Sequence, residues 1–198
     1  MASELELKAV VADPPALRRK LIDAGAREEF RGMLRDRRLD RDGTLSASDR
    51  VLRLRHWVTS AGPAQVQVGW KGPTTKSPEG YKLRQELEYS VTDAEQALGV
   101  FEALGFRVVQ AIDRYVEVYR LADGLARVEW YPRLDVLIEL EGSPDGIERL
   151  ITATGLARVD CLPDPLAAFA ARFEARTGRP AVLAESELVG ESPGWAGR

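Results

Sequence analysis

Charged and apolar residues alternate along several separate segments of this 198-residue chain, and this alternation limits its fold more than any other feature. Residues 4–11 and 51–58 show it clearly, with Arg53 and Arg55 on one parity and leucines on the other. A period of two is typical of a β-strand that buries only one of its faces. The chain is therefore expected to form a sheet from many strands, each with one charged and one apolar face.

The same pattern, together with helix caps, predicts the order of the elements. Further strands are predicted at residues 31–40, 66–71, 82–91, 106–121, 126–131 and 136–141, and helices after Asp13 and Asp93, at 142–154 and at 165–176. Short connections favour antiparallel pairing. We expect an α+β protein with about eight strands in a large antiparallel sheet, open or closed. Residues 1–180 are expected to form one domain that includes the C-terminal helix, and residues 181–198 a loosely packed tail.

Composition excludes several classes of function. The net charge of −3 gives no overall basic excess, so no nucleic-acid partner is expected. Cys161 and His56 are the only residues of their types, so a metal site must consist mainly of carboxylates, which suit hard cations such as Mg²⁺, Mn²⁺ or Ca²⁺. No apolar run is long enough to span a membrane, and the charges at residues 1–8 argue against a signal peptide, so a soluble, cytoplasmic protein is expected.

Like charges recur on the polar faces of the predicted strands. Positions i and i+2 share a face, and the pairs in question are Glu4 and Glu6, Arg53 and Arg55, Lys82 and Arg84, Glu86 and Glu88, and Glu139 and Glu141. For any one strand the simplest interpretation is a face in water. Taken together, such faces repel unless opposite charges or ligands lie among them. A closed barrel would gather them in a wet tunnel able to bind a metal and a polyanion, with the apolar faces turned outwards to the helices.

These motifs follow one another in a recognisable order. They are Glu4-Leu5-Glu6-Leu7-Lys8, Leu52-Arg53-Leu54-Arg55, Trp70-Lys71-Gly72-Pro73, Arg84-Gln85-Glu86-Leu87-Glu88, Arg114-Tyr115, Glu129 and Ile138-Glu139-Leu140-Glu141. In this order they resemble the CYTH superfamily of triphosphate tunnel metalloenzymes, which includes class IV adenylyl cyclases, thiamine triphosphatases and inorganic triphosphatases. Leu104-Gly105-Phe106 and Val108-Val109 are most similar to the class IV cyclase branch.

The resemblance implies an eight-stranded antiparallel tunnel barrel flanked by helices, which binds a small-molecule triphosphate with Mg²⁺ or Mn²⁺. It implies metal-side carboxylates at Glu4, Glu6, Glu129, Glu139 and Glu141. It implies substrate contacts from Lys8, Arg53, Arg55, Lys71, Arg84 and Arg114, and catalytic roles for Lys8, Arg114, Glu86 and Glu88. Arginine forks match phosphate oxygens in pairs, and lysine supplies a point charge.

Two positions depart from the family pattern. Ile112 stands where the family has the lysine of Lys-x-Arg, and Glu129 stands where it has an aspartate. Arg127 shares the face of Glu129 and is a candidate replacement for the missing cation, although a solvated or surface-paired arginine is the more common outcome. Arg38, on another charged strand, is expected to make either an extra phosphate contact or a rim salt bridge.

Hydrolysis of a triphosphate is the favoured function. Cyclisation also requires a nucleoside pocket, and the sequence does not locate one. The alternatives are a class IV adenylyl cyclase and a non-catalytic polyphosphate- or nucleotide-binding module, the latter suggested by Ile112. His56 lies on the parity opposite to Arg53 and Arg55 and is expected to face away from the tunnel, and Cys161 is expected to be inert. The scattered aromatic residues are expected to fill the core or the barrel ends, and one of them is a candidate to stack on a base at a tunnel mouth; they are Trp57, Trp70, Trp130 and Tyr131.

Overall fold

The computed structural model describes residues 3–59, 62 and 64–197, with the side chains of Ser3 and Glu4 excepted. The strands are β1 (Ser3–Val10), β2 (Arg27–Asp40), β3 (Val51–Val58), β4 (Gln65–Lys71), β5 (Thr75–Lys76), β6 (Lys82–Val91), β7 (Arg107–Leu121), β8 (Gly124–Trp130) and β9 (Leu137–Glu141). The helices are α1 (Pro14–Asp23), α2 (Ala94–Ala103), α3 (Pro144–Thr154) and α4 (Leu166–Thr177), with single 3₁₀ turns at Ser46–Ser48, Arg158–Asp160 and Glu185–Glu187.

Eight of these strands close into a barrel. Their order is β1-β9-β8-β7-β2-β3-β4-β6, and β6 returns to pair with β1, where Glu6 lies opposite Lys82. All of these pairings are antiparallel, and β5 adds two residues beside the start of β6. The predicted α+β fold with an eight-stranded antiparallel barrel is confirmed.

Helices begin where the sequence supplies caps. The Asp13 carboxylate accepts a hydrogen bond from the Ala16 amide at 2.9 Å, and Asp93 accepts from the Glu95 and Gln96 amides at 2.9 and 3.0 Å. These bonds satisfy amides that the first helical turn leaves without backbone partners. The predicted starts of α1 and α2 are therefore confirmed.

The apolar faces of the strands point outwards and are covered by the helices. Helices α1 and α3 bury residues such as Leu21 and Leu150 against outward-facing side chains of the barrel, among them Leu7 and Leu140. Helix α2 packs Phe101 against another part of the barrel wall. This inside-out arrangement reserves the interior of the barrel for the charged faces.

Helix α4 lies across one end of the barrel, where Phe169 packs with Ile112, Tyr131 and Leu137. The domain boundary at residue 180 stays a prediction. Residues beyond it contact the barrel, since Val182 and Ala184 are buried and the Leu183 carbonyl accepts a hydrogen bond from the Asp113 amide at 2.8 Å. The start of a tail expected to pack loosely is therefore held by backbone hydrogen bonds and burial.

Candidate functional site

The alternation of each strand places the predicted site residues inside the barrel. Those that line its interior are Glu6, Lys8, Arg53, Arg55, Lys71, Arg84, Glu86, Glu88, Arg114, Glu129, Glu139 and Glu141. The backbone of Glu4 lies in β1 opposite Arg84, but its side chain is outside the described part of the chain. Side chains separated by more than a hundred residues in sequence thus share one interior.

The interior contains two adjacent chambers. The cationic chamber has a volume of about 420 Å³ and lies towards Pro163, Pro165 and Leu166, before α4. Its charged lining is Lys8, Arg38, Arg53, Arg55, Lys71, Lys82, Arg84, Arg114 and Arg127, with Glu6, Asp36, Asp49, Glu129 and Glu139. Nine cationic groups against five acidic ones make this chamber attractive to a polyanion.

The second space, which we call the mixed chamber, has a volume of about 490 Å³. It is lined by Glu29, Phe30, Arg53, Arg55, Trp57, Gln65, Gln67, Lys71, Glu86, Glu88, Val118, Arg120, Leu125, Arg127 and Glu141. Four side chains border both chambers, namely Arg53, Arg55, Lys71 and Arg127. These four side chains therefore lie at the boundary between the two chambers.

Three buried carboxylates form an acidic cluster between the chambers. Glu6, Glu139 and Glu141 each offer an oxygen within 4.8 Å of the others, which is a donor set that suits a hard divalent cation. Lys8 Nζ lies 2.9 Å from Glu6 and 2.5 Å from Glu139, so it partly neutralises two of the three.

Electrostatics keep two of these three carboxylates, Glu6 and Glu139, ionised. Burial raises the pKa of Glu6, but attraction to Lys8 and Lys82 outweighs burial and lowers that pKa to about 2. Burial opposes ionisation of Glu139 as well, yet Arg127 and Lys8 hold its pKa well below the usual value. Only the charged forms of these acids are therefore present at neutral pH, as metal coordination requires.

Glu129 lies outside the acidic cluster. Its carboxylate accepts hydrogen bonds from Arg127 Nε at 2.9 Å and from the Tyr131 hydroxyl at 2.5 Å. Arg114 Nε lies 3.1 Å from it, within ion-pair distance but without hydrogen-bond geometry. In this arrangement Glu129 orients two arginines, and its role as a metal ligand stays a prediction.

Asp36 is a site residue that the sequence reasoning missed. This carboxylate is 2% exposed and bonds to Arg55 at 2.8 and 3.0 Å and to Arg114 at 3.0 Å, with Arg53 at 3.7 Å. Burial opposes its ionisation, but the three guanidinium groups hold its pKa well below the usual range. Asp36 therefore balances the cationic chamber and fixes three of its arginines. Asp36 lies two residues before Arg38 on β2 and so shares its face, which is the sequence signal that could have identified it.

Arg127 is the second unexpected feature. It is buried rather than solvated, and it bonds to Glu129, to Glu139 and, at 2.9 Å, to Glu141. Burial lowers its pKa, yet attraction to these carboxylates raises the pKa well above the usual value. Arg127 is thus a permanent counter-charge that touches two members of the acidic cluster. Its shared parity with Glu129 was the sequence signal for this position.

The remaining predicted cations are held in place by neighbours. Arg53 donates to Glu88 at 2.7 Å, and Lys71 pairs with Glu86. Arg84 donates to the carbonyls of Gly72 and Asp49, both at 2.7 Å, which anchors it at the rim of the cationic chamber. Packing and ion pairs thus fix these side chains before any ligand arrives.

Four other residues named in the sequence analysis have the following positions. His56 borders neither chamber, as expected. Cys161 is buried, and burial raises the pKa of its thiol to about 11, which agrees with an inert cysteine. Arg38 borders the cationic chamber and donates to Gln110 at 2.9 Å, and Trp57 borders the mixed chamber.

A closed antiparallel barrel with a net cationic interior beside a carboxylate cluster defines a class of charged tunnel proteins. The CYTH domain model matches residues 2–150, so the chain belongs to the CYTH family. A putative adenylate cyclase of Methanocaldococcus jannaschii is 28% identical over 143 residues, which cover 71% of this chain and 77% of that protein.

Solved structures share the fold. A putative adenylate cyclase from Vibrio parahaemolyticus superposes with a TM-score of 0.69 at 18% identity, over 85% of this chain and 97% of that one. A protein from Pyrococcus horikoshii gives 0.68 at 21% identity, over 89% and 99%. A putative adenylyl cyclase from Hippeastrum, described as having a dominant triphosphatase activity, gives 0.62 at 16% identity, over 94% and 99%. None of the helices in the described residues has the length and apolarity needed to cross a membrane.

Proposed function

We propose that this protein is a Mg²⁺- or Mn²⁺-dependent enzyme that binds a triphosphate compound inside the barrel and hydrolyses it. The observation that carries the proposal is the cationic chamber next to the acidic cluster of Glu6, Glu139 and Glu141. A polyanion would neutralise the cationic residues of the chamber, and a divalent cation would neutralise the carboxylates of the acidic cluster. Each ligand would therefore favour binding of the other.

The arginines would grip the phosphate oxygens. Arg55 and Arg114 meet at Asp36 from different strands, so their planar forks are already oriented towards the interior. Preorganised donors of this kind stabilise the charge that develops on a leaving phosphate without rearranging during the reaction. Lys8 and Lys71 would add point charges beside the acidic cluster and at the junction of the two chambers.

The donor set fits the proposed metal. Three carboxylate oxygens within 4.8 Å of one another suit Mg²⁺ or Mn²⁺, and the single histidine leaves no imidazole-rich alternative. When bound, such a cation would neutralise charge on the phosphate oxygens. The protein's own part is to hold Glu6 and Glu139 ionised through Lys8.

Two alternatives remain distinct. In a class IV adenylyl cyclase the same chamber would hold the phosphates of ATP while the ribose 3′-hydroxyl attacks the inner phosphorus and expels pyrophosphate. The names of the Methanocaldococcus and Vibrio relatives favour that alternative. Binding without turnover is the second alternative, suggested by Ile112, which stands in the place of a family lysine. Hydrolysis differs from cyclisation in which phosphorus meets the nucleophile.

The deciding experiment incubates the purified protein with tripolyphosphate, ATP or thiamine triphosphate, each with Mn²⁺ or with a chelator. Metal-dependent release of phosphate is expected, whereas cyclic AMP from ATP would support the cyclase and binding without any product would support the binding module.

Glu139→Gln should abolish metal-dependent turnover, and the exposed Glu102→Gln serves as the matched control. Full activity in Glu139→Gln would refute the acidic cluster as the metal site.

A second variant tests the cationic chamber. Arg55→Ala should weaken binding of tripolyphosphate, measured by calorimetric titration, because it removes a buried fork from the chamber wall. Arg19→Ala, an exposed arginine on α1, is the control. Equal affinity in wild type and Arg55→Ala would show that Arg55 does not contact phosphate.

A further inference from the structure

Tyr131 places a hydroxyl group at the wall of the cationic chamber. The residue follows β8 directly, two positions after Glu129, and both side chains border this chamber. Tyr131 is 1% exposed, and its ring packs with Ile112, Leu137 and Phe169. Because this packing fixes the ring, it also fixes the position of the hydroxyl group.

The carboxylate of Glu129 is held at both of its oxygens. The Tyr131 hydroxyl donates a hydrogen bond to Oε2 at 2.5 Å. The other oxygen, Oε1, accepts from Arg127 Nε at 2.9 Å and lies 3.1 Å from Arg114 Nε. Since Glu129 is 1% exposed, it depends on these neighbours for its hydrogen bonds. One oxygen therefore faces a phenol, and the other faces two guanidinium groups.

Arg114 is oriented by this pair of residues. Its guanidinium carbon lies 5.9 Å from the centroid of the Tyr131 ring, within the range of a cation–π contact, and its Nε lies beside Glu129. A further hydrogen bond, at 3.0 Å, joins Arg114 to Asp36. Arg114 is buried and borders the cationic chamber, where it is proposed to contact phosphate. The direction of its fork therefore depends on Glu129 and Tyr131 as well as on Asp36.

Glu129 keeps this orientation only while its Oε2 has a hydrogen-bond donor. Burial and the neighbouring Glu129 raise the pKa of Tyr131 well above the usual value, so the phenol keeps its proton at neutral pH. Without the hydroxyl the buried Oε2 would lack a partner, which is costly for an ionised acceptor. A carboxylate that turned to find another donor would move Oε1 away from Arg114.

The acidic cluster uses other carboxylates. Glu6, Glu139 and Glu141 each offer an oxygen within 4.8 Å of the other two, and among the described residues Glu129 is not a member of this group. A cation that bound Glu129 would have to compete with its phenol or guanidinium partners. The contacts of Glu129 therefore suit a role towards the arginines.

From this geometry we propose that Tyr131 is a positioning residue for triphosphate binding. Its hydroxyl holds the Glu129 carboxylate against Arg114, so Glu129 orients a phosphate-binding arginine and does not bind the metal. The inference rests on the proposed function, because it takes Arg114 as a phosphate contact. It departs from the metal-ligand role that the family resemblance implies for Glu129.

The first test removes a single oxygen atom. Tyr131→Phe keeps the ring, and tripolyphosphate affinity should fall roughly 3- to 10-fold in calorimetric titrations of the full-length protein with saturating Mn²⁺, the value of one ordinary hydrogen bond. Tyr119→Phe is the matched control, because the buried Tyr119 hydroxyl donates at 2.8 Å to Glu117, two residues earlier, in the outer core. This control should lower Tm without changing affinity. Unchanged affinity in Tyr131→Phe, or equal losses in the two variants, would overturn the inference.

The affinity for Mn²⁺, titrated without tripolyphosphate, separates the two possible roles of Glu129. If Glu129 bound the metal, loss of its hydrogen-bond partner would weaken Mn²⁺ binding about 10- to 100-fold. We expect Tyr131→Phe to change Mn²⁺ affinity less than about twofold, because the metal does not use Glu129. A loss of about tenfold or more would place Glu129 on the metal and refute the proposed role of Tyr131.

A double variant shows whether the hydroxyl acts through Glu129. Glu129→Leu fills the space but offers no acceptor, so adding Tyr131→Phe to it should weaken tripolyphosphate binding less than about twofold further. A full additional loss would mean that the hydroxyl contacts phosphate itself, and the positioning role would be wrong. If the wild-type protein binds neither tripolyphosphate nor Mn²⁺, the proposed function itself fails.

Discussion

Replacing Arg127 by methionine should make the stability of the protein depend on a divalent cation. Arg127 touches Glu129, Glu139 and Glu141, and the last two belong to the acidic cluster. Methionine keeps most of the side-chain volume but removes the charge that holds these carboxylates together. In a metal-free protein the remaining like charges are left in a buried interior, where they repel strongly.

The size of the stability loss follows from the burial of Arg127 and its carboxylate partners. Removing one partner of a buried ion pair costs about 3–5 kcal/mol, because the other partner is left without compensation. For a chain of this length each kcal/mol lowers Tm by roughly 2–4 °C, so the metal-free variant should melt roughly 6–20 °C below wild type. A bound Mn²⁺ replaces the lost charge, and a ligand at 100 times its Kd restores about 2.7 kcal/mol.

Metal affinity should move in the opposite direction to stability. In the wild-type protein a cation at the acidic cluster must share Glu139 and Glu141 with Arg127, whereas in Arg127→Met it does not. At equal Mn²⁺ concentration the variant should therefore gain more in Tm than wild type. Thermal melting followed by circular dichroism, with chelator and with Mn²⁺, measures both quantities, and calorimetric titration gives the Kd.

Two controls isolate the charge. Arg127→Lys keeps a cation and should lose less stability than Arg127→Met, and Arg149→Met removes an arginine from an exposed pair with Asp123. If metal-free Arg127→Met melted within about 2 °C of wild type, the buried-pair reasoning would be refuted. A Tm gain from Mn²⁺ no larger than that of wild type would show that Arg127 and the metal do not compete.

Three further predictions concern single side chains. Arg38→Gln should weaken tripolyphosphate binding in calorimetric titrations by about 10- to 100-fold, the value of one charged hydrogen bond, and unchanged affinity would leave Arg38 as a rim residue. Glu6 has its pKa lowered to about 2, so its stabilisation is complete above its ordinary value of 4.5 and is lost as the pH falls from there towards 2. The urea midpoint of Glu6→Gln should accordingly fall less over that interval than that of wild type, and parallel curves would contradict the assignment. Cys161, with its pKa raised to about 11, should react with iodoacetamide much more slowly in the folded protein than in urea, and equal rates would contradict its burial.

The sequence predicted the charged interior because parity along a strand is fixed by backbone geometry. Once Arg53 and Arg55 are on one strand, they must share a face, and the same holds for Glu139 and Glu141. The apolar residues between them then determine which face meets the helices. The closure of the sheet into a barrel could be predicted only from the resemblance to a family, because alternation alone allows an open sheet as well.

The pairing of opposite charges was not predictable in the same way. Asp36 acquires its role only because β2 lies between β3 and β7, which brings Arg55 and Arg114 to it from opposite sides. Local pattern contains no information about which strands become neighbours or in what register. The division of the tunnel into two chambers depends on the same unknowns, so it too required the structure.

The position of Ile112 illustrates how a departure from the family pattern fits the fold. Ile112 lies opposite Asp36 in the register of β2 and β7, and it packs with Phe169 of α4. A lysine there would place a charge in the apolar contact that joins α4 to the end of the barrel. The apolar side chain therefore serves the attachment of the helix and leaves out the cation that the family pattern has at this position.

Arg38 is better placed than Arg127 to supply that cation. Arg127 pairs with Val118, six residues along β7 from Ile112, which corresponds to about 20 Å of strand. Arg38 is the next inward position after Asp36 on the neighbouring strand, and its side chain borders the cationic chamber. Because a polyanion responds to the summed charge of the chamber wall, a cation on the adjacent strand contributes to the same potential, whereas Arg127 is already paired with Glu129, Glu139 and Glu141.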